Sequence, residues 1–205
     1  MTRGNQTILV TVGSTLFPSL TCFVLSPTIL QLLSSLGIGK LIVQYGKANL
    51  PISVVDQLQM DGNGNGSGQI ANLNVIVMRY TDNFEHLVHN ADAVVSHAGS
   101  GSILAVLRQR PMKPLLVVPN ESLMDNHQVE LANALGQDGY LLVSRIPELE
   151  TKLKEFFGHW KDKQRDFPPR ADTFKNVVNE LMGFEITQKL VNCLYGITKV
   201  KPRET

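Results

Sequence analysis

Short apolar segments alternate with helical segments along most of this 205-residue chain. Each apolar segment is continuous, which predicts a strand buried on both faces of a parallel sheet. The intervening segments carry helix-start signals, such as Ser26 before Pro27 and the capping-box spacing of residues 82–85. The alternation predicts an α/β fold, with a mostly parallel sheet and helices on both faces. The six predicted strands are residues 6–13, 40–46, 73–80, 91–97, 113–119 and 139–144.

Two segments fall outside this alternation. Residues 1–183 are predicted to form the α/β domain. Within it, the low-complexity segment DGNGNGSG at residues 61–68 predicts a mobile loop. A phosphate-binding role for that loop is the weaker alternative, since no strand immediately precedes it. Residues 184–205 predict a C-terminal helix and tail.

The C-terminal segment carries one apolar stripe at helical spacing, formed by Ile186, Leu190, Cys193 and Leu194. The commoner explanation for such a stripe is packing on the chain's own sheet. The alternative is a docking surface for a second subunit.

Composition excludes several classes of function. Nineteen basic and eighteen acidic residues give a formal charge of +1, which does not favour a nucleic-acid-binding surface. Cys22 and Cys193 are far apart, so neither a disulfide framework nor a zinc site is indicated. Residues 8–25 have the length of a membrane span, but small and turn-forming residues interrupt them, and the N-terminus lacks the pattern of a signal peptide. We therefore expect no transmembrane segment of the chain's own and a cytoplasmic location.

Three loops rich in small polar residues follow the first, fourth and fifth predicted strands, at residues 13–15, 97–102 and 120–128. In open α/β sheets, ligands bind beyond the carboxyl ends of the strands, where the N-termini of helices offer unpaired N–H groups to anions. One such loop alone is commonly structural. Three at one edge favour a binding site for an anion such as a diphosphate.

The motifs of other nucleotide-binding and hydrolytic classes are absent. The chain has no GxxxxGK[ST], and the Gly99-x-Gly101 pair lacks the third glycine of a dinucleotide fingerprint. It also has no GxSxG nucleophile elbow. His86 and His89 have a spacing that metal ligands use, but with Glu85 and Asn90 beside them they predict an exposed helix face. No DxD pair or His/Cys/Asp/Glu cluster in the sequence indicates a metal site.

The segments ILVTVGST, DAVVSHAGSGSIL and KPLLVVPNESLMDNHQVELA resemble the soluble subunits of dolichol-linked UDP-GlcNAc transferases. The similarity runs from about Ile8 to Tyr140 in order and spacing. More distantly, the chain resembles the carboxyl-terminal lobe of the bacterial lipid-linked GlcNAc transferases of peptidoglycan synthesis. The resemblance implies a Rossmann-like domain equivalent to the C-terminal, donor-binding half of a GT-B glycosyltransferase.

The resemblance also implies a set of residues that bind UDP-GlcNAc. Those facing the diphosphate are Gly13, Ser14, Thr15, His97, Ala98, Gly99, Ser100, Gly101 and Ser102. The backbone near Thr81 meets the uracil edge, and the sugar contacts are Asn126, His127 and Gln128. Members of this family work without a divalent metal, so no cofactor and no metal are expected.

The activity implied is inverting transfer of the second GlcNAc, in a β1,4 bond, to GlcNAc-diphospho-dolichol. The acceptor lobe is expected on a separate, membrane-anchored subunit that recruits this chain to the cytosolic face of the endoplasmic reticulum. The general base is expected on that partner.

One position departs from the family pattern. Related proteins commonly place Glu or Asp eight residues after the motif's histidine, to bind ribose, and this chain has Ala105 there. Loss of one such charged hydrogen bond costs roughly 1.5–3 kcal/mol of donor affinity unless another residue, such as Gln109, replaces it. Two alternatives therefore stay open: a non-catalytic binding or scaffold module with a degraded donor site, and an enzyme such as an epimerase acting on another nucleotide sugar.

Overall fold

The computed structural model of the protein describes residues 6–109, 111, 113–122 and 126–158. The predicted apolar stripe and the boundary at residue 183 lie outside these ranges. The strands are β1 Gln6–Thr11, β2 Ile38–Gln44, β3 Gln59–Met60, β4 Gly66–Ile70, β5 Leu73–Met78, β6 Ala93–His97, β7 Leu115–Val118 and β8 Leu142–Val143. The helices are α1 Pro18–Val24, α2 Pro27–Ser35, α3 Ile52–Val55, α4 Phe84–Asn90, α5 Ser100–Leu107, α6 Asn126–Gln137 and α7 Leu149–Gly158, the last preceded by the 3₁₀ turn Ile146–Glu148.

The eight strands form one sheet in the order β3-β4-β5-β2-β1-β6-β7-β8. In this order, the six strands β5, β2, β1, β6, β7 and β8 are parallel to their neighbours. The chain builds outward from β1 first through β2 to β5, and then returns to the other side of β1 to place β6. The order therefore reverses between β1 and β6, which is the position where doubly wound sheets bind ligands.

The predicted α/β architecture is confirmed, because helices cover both faces of the sheet and form two apolar cores. One core contains α1, α2 and α7, and the other contains α4, α5 and α6. Strands β6 and β7 are buried along their whole length, which explains their unbroken apolar sequence. Within the described ranges no single helix is long and apolar enough to cross a bilayer, although α1 and α2, bent by 54°, meet that test as a pair.

Helix starts follow the signals in the sequence. The Ser26 hydroxyl accepts a hydrogen bond from the Ile29 N–H at 3.4 Å, with Pro27 in the first turn of α2. Helix α4 begins one residue later than the capping-box spacing of residues 82–85 predicts, since Asn83 rather than Asp82 is its N-cap residue and accepts from the His86 N–H at 3.1 Å.

The prediction of a mobile loop over residues 61–68 is wrong for residues 66–68, which begin β4. Strands β3 and β4 pair antiparallel, and β4 pairs antiparallel with β5. The Asp61 carboxylate organises the turn between β3 and β4, because it accepts from the N–H groups of Asn63 and Asn65, both at 2.8 Å. Hydrogen bonds from Asn65 are the main cause of the lowered pKa of Asp61. Tyr45 donates its hydroxyl to the Gly64 carbonyl and ties the turn to the end of β2.

Candidate functional site

The first loop of the site is the turn after β1. The Thr15 N–H and hydroxyl both donate to the Val12 carbonyl, at 3.2 and 2.6 Å, and close this turn. Gly13 has a φ of +60°, a conformation that side chains with a Cβ disfavour. Ser14 is exposed at the tip of the turn. The Thr15 hydroxyl is therefore occupied by the backbone, while the predicted residues Gly13 and Ser14 form the accessible part of the turn.

His97 ends β6 and packs between two glycines. A Cβ added to Gly13 would lie 2.6 Å from Cε1 of His97, and a Cβ on Gly99 would overlap its Nε2. Both positions therefore require glycine while the imidazole stays in place. The structure brings the first two predicted loops together through this stacked contact, at the reversal point between β1 and β6.

The electrostatics of His97 favour a neutral ring. The side chain is 4% exposed, and burial is the main cause that lowers the pKa of His97, while the backbone carbonyl of Thr11 acts in the opposite direction. Even so, Nδ1 makes no hydrogen bond of normal geometry to any described residue. A neutral imidazole keeps one N–H donor and one acceptor, and so can hold a hydrogen bond to a ligand without carrying charge.

Helix α5 begins directly after Gly99, its N-cap residue. The first turn contains Ser100, Gly101 and Ser102, whose N–H groups have no partner within an α-helix. The volume beside Gly101 is open, since an added Cβ would meet nothing within 4 Å. The helix end therefore offers backbone donors, two hydroxyl groups and room, together with the positive end of the helix dipole.

The third loop reaches the first through Asn120. This side chain is 5% exposed, donates from Nδ2 to the Leu16 carbonyl at 3.2 Å, and accepts from the Ser122 hydroxyl at 2.7 Å. The loops after β1, β6 and β7 therefore converge at one edge of the sheet, as predicted.

The predicted sugar-binding residues lie at the start of α6. Asn126 and His127 are in the first turn of this helix, but their side chains lie outside the described part of the structure. The Gln128 side chain is described, and its Oε1 is buried without a hydrogen-bond partner among the described residues. Its contact with a sugar stays a prediction.

Thr81 lies two residues beyond Arg79 at the end of β5, and the strand β2 separates β5 from the glycine turn of β1. Its hydroxyl accepts from the Asn83 N–H at 3.1 Å. Residue 81 belongs to no helix or strand, so its backbone N–H and carbonyl are not part of a regular element. Thr81 and Tyr80 line a pocket of about 510 Å³ whose other wall is the hairpin of β3 and β4, including Asp61 and Ser67. Thr81 therefore lies at the same edge of the sheet as the other loops, and the lining of its pocket includes none of residues 13–15 or 97–102.

Ala105 is half-buried, one turn further along α5 from Gly101. The proposed substitute, Gln109, donates to the Ala105 carbonyl at 3.4 Å, so its amide is directed back along its own chain. His86 and His89 are exposed on α4, as expected, and the described residues contain no group of three or more His, Cys, Asp or Glu that could hold a metal ion.

Two residues at the end of β2 were not identified from the sequence. Gly46 has a φ of +58°, and an added Cβ would lie 2.8 Å from the carbonyl oxygens of Gly13 and Thr15. Gln44 is 3% exposed and hydrogen-bonds to the Gly13 turn. The available signal was a single amide, Gln44, in the otherwise apolar segment LIVQY, with Gly46 directly after that segment.

The chain matches the model of the glycosyltransferase family 28 C-terminal domain over residues 7–181. It is 50% identical over 195 residues to the UDP-N-acetylglucosamine transferase subunit ALG13 of Cryptococcus neoformans var. neoformans serotype D, covering 87% of this chain and 98% of that relative. It is 39% identical over 137 residues to the subunit of the same name from Homo sapiens, covering 65% of this chain but 10% of the human protein.

Solved structures give the same fold. An NMR solution structure of ALG13 matches with a TM-score of 0.61 and 27% identity, over 86% of this chain and 96% of that one. The crystal structure of Acinetobacter baumannii MurG matches with a TM-score of 0.56 and 18% identity, over 93% of this chain and 49% of MurG. The expected correspondence to one half of a GT-B glycosyltransferase is confirmed.

Proposed function

The chain belongs to the glycosyltransferase family 28 C-terminal domain family, and on that basis we propose that it binds UDP-GlcNAc as the donor subunit of a glycosyltransferase. The observation that carries the proposal is the packing of His97 between Gly13 and Gly99 at the reversal point of the sheet, beside the N-terminus of α5. The 50% identical relative, which is named as a UDP-N-acetylglucosamine transferase subunit, supports the choice of donor.

The diphosphate of the donor binds at the N-terminus of α5. Its negative charge is balanced by the helix dipole and by hydrogen bonds from backbone N–H groups and from Ser100 and Ser102. Such donors are effective because they are fixed before the ligand arrives and need no reorganisation. Hydrogen bonds to charged groups contribute about 1.5–3 kcal/mol each, so a few of them suffice without a lysine. No metal is required in this mechanism.

The reaction is inverting transfer to GlcNAc-diphospho-dolichol. The acceptor's 4-hydroxyl oxygen attacks the anomeric carbon of the donor, the bond from that carbon to the diphosphate breaks, and a β1,4 bond forms. The electron pair leaves with UDP, whose added charge develops on the phosphate beside α5, where it is stabilised most. The hydroxyl proton goes to a general base, which we place on the partner subunit.

The partner is a membrane-anchored subunit that supplies the acceptor lobe and holds this chain at the cytosolic face of the endoplasmic reticulum. The fold of this chain corresponds to 49% of MurG, which agrees with an acceptor lobe on another chain. The word "subunit" in the names of the relatives supports a complex.

Transfer by the assembled complex tests the proposal. The chain is co-expressed with its membrane-anchored partner, and GlcNAc transfer from UDP-GlcNAc to a GlcNAc-diphospho-lipid is measured. We expect transfer by the complex and little or none by either subunit alone. Absence of transfer, with partner binding confirmed by co-purification, would refute the proposed activity.

Gly101→Ala tests, in the same assay, whether the donor binds beside the N-terminus of α5. The free protein has room for the added methyl group, and alanine within a helix is about 0.5–1 kcal/mol more favourable than glycine. The variant should therefore be at least as stable as the wild type. If a diphosphate approaches this backbone, the same methyl group weakens donor binding and raises the KM for UDP-GlcNAc. An unchanged KM would place the donor elsewhere.

A scaffold module with a degraded donor site is the second candidate, and Ala105 is the observation that favours it. Calorimetric titration with UDP-GlcNAc separates the two candidates, because only a donor-binding subunit shows saturable binding.

A further inference from the structure

The Gln44 side chain makes three hydrogen bonds in the interior of the protein. Its Oε1 accepts from the Thr11 hydroxyl at 2.5 Å, and its Nε2 donates to the carbonyls of Gly13 at 2.6 Å and Arg79 at 2.7 Å. The side chain is 3% exposed. A buried amide is unfavourable unless its hydrogen bonds are made, and here both N–H groups and the carbonyl oxygen have partners.

These bonds connect parts of the sheet that are not neighbours. Gly13 follows β1 and Arg79 follows β5, and β2 lies between the two strands. The hydrogen bonds of Gln44 to Gly13 and Arg79 form a bridge across β2. The Thr11 hydroxyl extends this bridge, because it donates to Gln44 and accepts from the Gly13 N–H at 3.1 Å. The Arg79 carbonyl also accepts from the Gly46 N–H at 3.1 Å. One side chain therefore bonds directly to both the turn after β1 and the end of β5, in addition to the backbone pairing of the three strands.

We propose that Gln44 is a positioning residue that sets the spacing between two halves of a nucleoside diphosphate site. The inference rests on the proposed function, in which the Gly13 turn faces the diphosphate and the backbone near Thr81, two residues after Arg79, faces the nucleobase. Gln44 touches neither half of the ligand in this scheme. It acts through the two carbonyls that it holds.

The spacing matters because the two halves of the ligand are covalently linked. A linked ligand gains affinity over its separate halves only if both subsites stand at the matching distance. When the bridge is lost, the two halves of the linked ligand no longer fit both subsites at once, or binding must first order the two loops. Either effect lowers the affinity for the linked ligand. Each half alone is affected less, since it needs only its own subsite.

Gln44→Met tests the bridge with a side chain of similar length and no hydrogen-bonding amide. NMR titrations compare UDP, uridine and inorganic diphosphate. We expect the affinity for UDP to fall about tenfold or more, while those for uridine and diphosphate change less than about threefold. Thr11→Val, which removes the hydroxyl at nearly constant shape, should give a smaller loss in the same direction, and Thr11→Ser should restore binding.

Ile42→Val is the matched control, because Ile42 is buried in the same strand and has no side-chain hydrogen bond. It should bind all three ligands as the wild type does. If folded Gln44→Met binds UDP within about twofold of the wild type, or loses all three ligands equally, the positioning role is wrong.

A measurement without ligand separates this inference from the proposed function. Amide hydrogen exchange at Gly13 and Gly46 should become faster in Gln44→Met and stay unchanged in Ile42→Val. If the wild type binds no UDP, the proposed function fails, and the exchange data still decide whether Gln44 holds the two loops. Unchanged protection at both glycines would overturn the bridge.

Discussion

Replacing Gly13 with alanine tests the contact at the centre of the site. Two costs arise in the structure. A residue with a Cβ at a φ of +60° loses about 1–2 kcal/mol relative to glycine, and the new methyl group would lie 2.6 Å from Cε1 of His97. Overpacking of that kind costs about 1–3 kcal/mol, so Gly13→Ala should lower the free energy of unfolding by about 2–5 kcal/mol.

Gly37→Ala separates the two costs. Gly37 has a φ of +86°, but an added Cβ meets nothing within 4 Å, so only the backbone cost of about 1–2 kcal/mol applies. Urea denaturation gives both free energies of unfolding, and their difference reports the contact with His97. UDP titration should show weaker binding for Gly13→Ala and wild-type affinity for Gly37→Ala.

A double variant identifies the atom group responsible. If the imidazole opposes the new methyl group, Gly13→Ala combined with His97→Ala should lose less than the two single variants together, by about 0.5–3 kcal/mol. Equal losses for Gly13→Ala and Gly37→Ala, with additive behaviour of the double variant, would refute the packing of His97 against this turn.

Three other predictions concern single positions. The pKa of His97 is lowered in the folded protein, so below about pH 6.5 the unfolded state binds a proton that the folded state does not, and stability should fall by at most about 1.4 kcal/mol per pH unit. Thermal unfolding of the wild type and of His97→Gln at pH 7.5 and 5.5 measures this effect. Equal pH dependence of the two proteins would contradict it. Ala105→Glu should strengthen UDP binding by about 1.5–3 kcal/mol in calorimetry if the ribose lies beside α5, and unchanged affinity would mean that ribose is held elsewhere. Ser26→Ala removes the cap of α2 and should cost about 1 kcal/mol in urea denaturation, whereas Ser35→Ala, on the exposed end of the same helix, should cost less.

The parallel part of the fold was predictable because its strands are buried on both faces, and strands of that kind consist of continuous runs of Val, Ile and Leu. The antiparallel edge was not. Strand β4 reads GSGQI, which has little β-branched or apolar character, and its pairing depends on the neighbouring β5. The hairpin turn of Ala71 and Asn72, with φ values of 49° and 67°, lacks the glycine that usually marks such a turn.

The glycine loops of the site were predictable because small residues after strands have a local signature. Gln44 had no such signature, since its partners at Gly13 and Arg79 lie 31 and 35 residues away. The fixed distance between β1, β2 and β5 is a property of the folded sheet, and only the three-dimensional structure brings those carbonyls to one amide.

Titration of the isotope-labelled chain with UDP-GlcNAc, followed by the backbone amide signals, tests the position of the donor most directly. We predict saturable shifts at residues 13–15 and 97–102, with a further group near Thr81, because the diphosphate and the nucleobase occupy those positions. Saturable binding with shifts confined to other surfaces, or no saturable binding in the presence of the partner subunit, would contradict a donor site at the reversal point of the sheet.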